Sequence, residues 1–83
     1  MIQYLIMCRS MTYAQKASKL LERYGYTAIV VKAPQELTKG GCGYAVTVRR
    51  NIEEAIDILK KYEIPTGRIY ARTGTAAYGE VNI

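Results

Sequence analysis

The residue with the most chemical promise is Cys42, set in Lys39-Gly40-Gly41-Cys42-Gly43. Clustered glycines cost backbone entropy, so they mark positive φ angles or the close approach of another group. Placing a cysteine between Gly41 and Gly43 leaves its sulfur unscreened and lets backbone N–H groups point toward it. A thiol that carries a persulfide or perselenide needs that access for a partner's sulfur, and those donors for a bound anion. The competing reading is a hairpin loop whose cysteine fills space, because an unreactive cysteine is usually a small buried hydrophobe. For Cys8, which continues an apolar run, packing is the stronger reading. A Cys8–Cys42 redox pair would require Cα atoms within about 7 Å.

Little other chemistry is available to this chain. It has no His, which excludes Ser-His triads, His-ligated metals and His general bases. Two cysteines are too few for a zinc site or a secreted disulfide scaffold. No cofactor or metal is therefore expected, and no enzymatic turnover beyond weak thiol exchange. The opening residues 1–7 are apolar, but they lack a basic leader and are too short for a signal peptide or a membrane span. These features point to a cytoplasmic protein with reduced thiols and no membrane partner. The net charge of +5 admits nucleic acid, an acidic protein or an anionic small ligand. The basic residues are scattered, with only Arg49-Arg50 and Lys60-Lys61 as pairs, a pattern that reads as a solvated surface.

At 83 residues the chain is one domain with a small core, for which self-association as a homodimer would hide extra apolar surface. Residues 2–8 form a nearly continuous apolar run suited to a central strand. Ser10 reads as a helix N-cap. From residue 11 to 24, Ala14, Ala17, Leu21 and Tyr24 recur at helical spacing, widened by Tyr13 and Leu20. Gly25 stands where a helix-terminating glycine belongs. Residues 26–32 are rich in Ile, Val and Thr and read as a second strand. Residues 33–43 form a loop. From 44 to 49, Tyr44, Val46 and Val48 alternate with Ala45, Thr47 and Arg49, as in a half-buried strand. Asn51-Ile52-Glu53-Glu54 is close to a capping box and opens a helix with Ile52, Ala55, Ile56, Leu59 and Tyr62 on one face. Residues 68–72 read as a fourth strand. Residues 73–83 are a C-terminal tail or an added edge strand, so the single domain is taken as 1–72.

Two strand-helix-strand units with right-handed crossovers interleave into an α+β, ferredoxin-like β-α-β-β-α-β sandwich. The expected sheet is antiparallel, in order 4-1-3-2, with both helices on one face. That arrangement brings the end of strand one, the start of strand three, the start of strand four and the opening of the first helix to one rim. Cys8, Cys42, Lys39, Arg68 and the N–H groups from Arg9 through Ser10 to Tyr13 would gather there. A helix N-terminus and nearby cations favour thiolate over thiol, making the sulfur a better nucleophile at neutral pH.

With these residues in view, the chain resembles a family of small bacterial selenium/sulfur carrier-like proteins. The resemblance runs from residue 2 to about 72. It rests on Ser10 with Tyr13-Ala14 opening a helix that ends Lys19-Leu20-Leu21, on Ala33-Pro34-Gln35-Glu36-Leu37, and on Cys42-Gly43-Tyr44-Ala45-Val46 leading into strand three. The helix Glu54-Ala55-Ile56-Asp57-Ile58-Leu59 also matches. The family's signature cysteine is the one before this glycine, so the resemblance implies that Cys42 is the chalcogen attachment point. It also implies sulfur- or selenium-donor and acceptor proteins as partners. No family role carries over to Cys8.

Two other functions compete. One is RNA binding, since Gly43-Tyr44-Ala45-Val46-Thr47-Val48 faintly echoes the third-strand motif of RNA-recognition modules. Thr47 and Val48 occupy the places of the later stacking ring, and Tyr44 faces the helices with Val46 and Val48, so nucleic acid ranks well below the carrier. The other is an oligomerisation module with a structural cysteine, using an uncovered sheet face where Arg68, Tyr70 and Arg72 gather with Thr47.

Overall fold

The structure is a computed structural model, and it describes residues 2–37 and 43–81. The elements run β1 (Ile2–Cys8), α1 (Met11–Arg23), β2 (Ile29–Lys32), a short 3-10 turn (Gln35–Leu37), β3 (Tyr44–Val48), α2 (Ile52–Lys61), β4 (Ile69–Thr73) and β5 (Gly79–Val81). The sheet is antiparallel throughout, in the order β2-β3-β1-β4-β5. The expected four-strand order 4-1-3-2 is corrected by the fifth strand, which extends the sheet beyond β4. Part of the stretch read as a tail or edge strand is thus a paired strand, with Ile69 opposite Val81 and Ala71 opposite Gly79.

Side-chain alternation in the strands sorts the core into two layers. Ile6 and Cys8 of β1, Val46 and Val48 of β3 and Ile69 of β4 point to the helix side. They pack there against Ala14, Ala17 and Leu21 of α1 and Ile52, Ala55, Ile56 and Leu59 of α2. Each fully buried Leu or Ile contributes about 1.5–3 kcal/mol, so this layer supplies most of the stability. Leu5, Met7 and Ala45 point the other way. They too are buried, beneath Val31, Leu37, Tyr70 and Tyr78. β1 is central and covered on both faces, which explains its nearly continuous apolar sequence. The expectation of an uncovered second sheet face is therefore corrected.

The helix ends are set by local backbone chemistry. α1 closes with Gly25 at φ 87, where Gly25 N–H donates to the Glu22 carbonyl and Tyr26 N–H to the Leu21 carbonyl. This is the paired closure for which glycine is suited. α2 closes in the same way on Glu63 at φ 57, with Ile64 N–H donating to Leu59. Asn51 precedes α2, yet its side chain makes no capping bond. It adopts φ 42, a left-handed conformation that Asn tolerates, and its carbonyl accepts from both Ala55 N–H and the Tyr26 hydroxyl. Tyr62, expected on the buried face of α2, instead lies past its end and is exposed.

Candidate functional site

The rim expected from topology forms. Cys8 at the end of β1 lies opposite Tyr44 at the start of β3, and Ile6 lies opposite Ile69 at the start of β4. The turn into β4 is stitched to β1, with Gly67 N–H donating to the Met7 carbonyl at 2.7 Å and Met7 N–H to the Arg68 carbonyl at 3.0 Å. A Cβ on Gly67 would come within 3.3 Å of the Met7 Cβ, so a glycine permits this close approach. α1 begins three residues after β1 ends. Ser10 caps it, its hydroxyl accepting from Tyr13 N–H at 3.4 Å. No acidic residue lies in its first turn, so α1 itself carries nothing there to offset the positive end of its dipole.

The residues expected to support the thiol divide three ways. Arg9 and Ser10 sit at this rim, Arg9 exposed and Ser10 half-buried as the helix cap. Gly43 is also there, its carbonyl accepting from Ala33 N–H and so extending the β2–β3 ladder by one step beyond Lys32 and Tyr44. Gly43 does not have the left-handed φ that would demand glycine, and an added Cβ would meet no described residue within 4 Å. The described residues therefore set no demand for glycine at 43; the other glycines of the turn lie outside the described residues.

Cys8 departs from expectation, and Arg68, placed at the rim as expected, gains an acidic neighbour that the sequence did not suggest. Cys8 is 0% exposed, in the helix-side core, with its Sγ 3.5 Å from the Ile6 carbonyl. It is not a second thiol displayed at the rim: it shares the parity of Ile6, and α1 and α2 cover that face of β1. Arg68 is at the rim and exposed, but β5 places Glu80 3.9 Å from its guanidinium. That solvent-facing pair is worth a few tenths of a kcal/mol, and it partly offsets the cationic charge assigned to Arg68. Lys39, Gly41 and Cys42 lie outside the described residues.

The second face bears on RNA. A stacking platform needs exposed rings on the two central strands. Those strands present Leu5, Met7, Ala45 and Thr47 there, all buried. Tyr70 belongs to the layer covering Leu5 and Met7, and the Arg72 guanidinium lies over the Tyr78 ring at 4.5 Å. Sequence reasoning missed this cover because Leu37 and Tyr78 are isolated apolar residues in irregular segments. Among the described residues no group of three or more Cys, Asp or Glu could hold a metal ion, and no helix is long and apolar enough to cross a membrane.

The fold and rim thus define a small α+β protein built around a sheet edge with a helix N-terminus. The family model described as "Putative Se/S carrier protein-like" matches residues 3–71, and the chain belongs to that family. No curated protein and no solved structure matches the chain.

Proposed function

We propose that the protein is a sulfur or selenium carrier that holds the chalcogen on Cys42 and passes it to a partner protein. Membership of the carrier-like family over residues 3–71 carries this reading. The rim supports it: Gly43, next to Cys42, shares an edge with Arg9 and with the N-terminus of α1, whose first turn carries no acid.

The chemistry balances without an external oxidant. The Cys42 thiolate attacks the terminal sulfur of a donor persulfide; a bond forms to that sulfur, the donor's S–S bond breaks, and its electron pair leaves with the donor thiolate. Delivery reverses the roles, with an acceptor thiolate attacking the outer atom and Cys42 leaving as thiolate. A donor perselenide follows the same course. Positive potential at the rim helps both halves, since a stabilised thiolate is more abundant as attacker and departs more readily. The protein acts stoichiometrically, has no turnover of its own, and works in a reducing compartment such as the cytoplasm.

The test is intact mass after incubation with a low-molecular-weight persulfide. The wild type should gain one sulfur, released by a thiol reductant, and Cys42→Ala should gain none. Equal labelling of Cys42→Ala and wild type would overturn the assignment.

A further inference from the structure

The basic residues that look scattered in sequence converge on one flank of α1. Tyr13, Lys16, Lys19, Leu20 and Arg23 recur at spacings of three and four beside the buried stripe of Ala14, Ala17 and Leu21. With Tyr62, Glu63 and Ile64 they line an open groove of about 390 Å³ between α1 and the end of α2. Leu20 and Ile64 pack partly into the core, giving the groove an apolar floor. Lys16 Nζ lies 5.8 Å from the Tyr13 ring centroid, and Lys16, Lys19 and Arg23 make no ion pair with a described residue. The one acid on α1, Glu22, is on the opposite flank, where it accepts from the Ser18 hydroxyl. Among the described residues Glu63 is the only acid on the groove, against the cations Lys16, Lys19 and Arg23.

The geometry points to this groove as the docking site for an acidic, partly apolar segment of a partner protein. Lys16 to Arg23 spans two turns, about 10 Å, too far for one small anion and well matched to acids on successive turns of a peptide helix. The aliphatic floor suits Leu-like side chains between those acids. Glu63 at one end disfavours the uniformly negative backbone of a nucleic acid, whereas a peptide can place a neutral or basic residue there. Next to the groove the Tyr24 and Tyr62 hydroxyls hydrogen-bond at 2.9 Å, with rings edge to face at 6.4 Å, which offers a preordered aromatic wall. Beyond Ile64 the chain runs directly to Gly67 and the rim, so a partner seated here lies alongside the carrier edge. The partner's role as donor or acceptor rests on the carrier reading; the binding itself does not involve Cys42.

The experiment titrates isotope-labelled full-length protein with a synthetic helical peptide of Glu and Leu, and follows backbone amide shifts. Perturbations should centre on Tyr13, Lys16, Leu20, Arg23 and Tyr62, and weaken with added salt. The exposed-site variant Lys16→Glu/Arg23→Glu should lose roughly tenfold or more in affinity with the fold retained by circular dichroism, while Glu63→Gln should gain about two- to threefold. Cys42→Ala should bind like the wild type. Shifts confined to another surface, an unaffected charge-reversal variant, or oligouridylate binding the groove more tightly than the peptide would overturn the proposal. Peptide binding without sulfur uptake would sink only the carrier reading; sulfur uptake without peptide binding would sink only the docking site.

Discussion

Two cysteine-bearing stretches invite comparison: β1, which ends in Cys8, and the glycine-rich run whose Gly43 leads into β3 beside it. Cys8 closes β1 with its side chain turned into the helix-side core, among residues that α1 and α2 cover completely. Cys42 belongs to a run whose described member, Gly43, meets no backbone or packing requirement for glycine among the described residues. One sulfur is enclosed because a central strand turns it beneath the helices. The other follows Gly40 and Gly41 and precedes Gly43, where an added Cβ would meet no described residue within 4 Å. A thiol that only needs to pack belongs where Cys8 is. Omitting side chains where the fold tolerates them makes physical sense when something must approach.

The contrast can be broken by mutation. Cys8→Ser places a hydroxyl in an apolar core and should lower unfolding free energy by about 1–3 kcal/mol, whereas Cys42→Ser should change it by less than about 0.5 kcal/mol. Urea unfolding of both variants checks this, and equal costs would erase the distinction. Ser10→Ala removes the cap of α1 and should cost about 0.5–1 kcal/mol, at the lower end for a cap because the bond is long at 3.4 Å. The glycines of the rim should also divide. Gly67→Ala must push against Met7 and destabilise measurably, while Gly43→Ala should be neutral within about 0.5 kcal/mol and slow the reaction of Cys42 with alkylating reagents.

The smallest effect concerns the core that encloses Cys8. Tyr26 lies in that core, and burial is the main cause that raises its phenol above the ordinary value of 10.0. Repulsion from Glu54 adds to the shift, and the Arg50 guanidinium, 4.8 Å over the ring, opposes it. A raised pKa in the folded state gives stability that is fully present below the unfolded value near 10 and lost as pH climbs through the folded one. Thermal unfolding followed above pH 9 should show stability falling, with a shallower fall in Tyr26→Phe.

Much of the scaffold was legible because it rests on local periodicity. The stripe Ala14, Ala17, Leu21 specified which face of α1 is buried, and Tyr44, Val46 and Val48 specified the helix-facing side of β3, although the strand expected to be half-buried is covered at Ala45 and Thr47 as well. The juxtaposition of β1, β3 and β4 followed from crossover handedness. What stayed hidden depends on contacts without a local pattern. β5 is three residues long and pairs only because β4 offers an edge. The cover over Leu5 and Met7 comes from Leu37 and Tyr78, separated by forty residues of chain. The orientation of Cys8 could not be read from an apolar run with both faces buried, since such a run carries no alternation. Lys16, Lys19 and Arg23 looked dispersed until the helix end at Tyr62–Ile64 completed their groove.

The most direct test is the pH dependence of alkylation of the native wild-type protein, read by intact mass and peptide mapping. One thiol, Cys42, should react, with a midpoint below the ordinary cysteine value of about 8.5, while Cys8 reacts only after unfolding. A Cys42 midpoint at or above that value, or a Cys42 that resists reagent until the protein unfolds, would contradict the account.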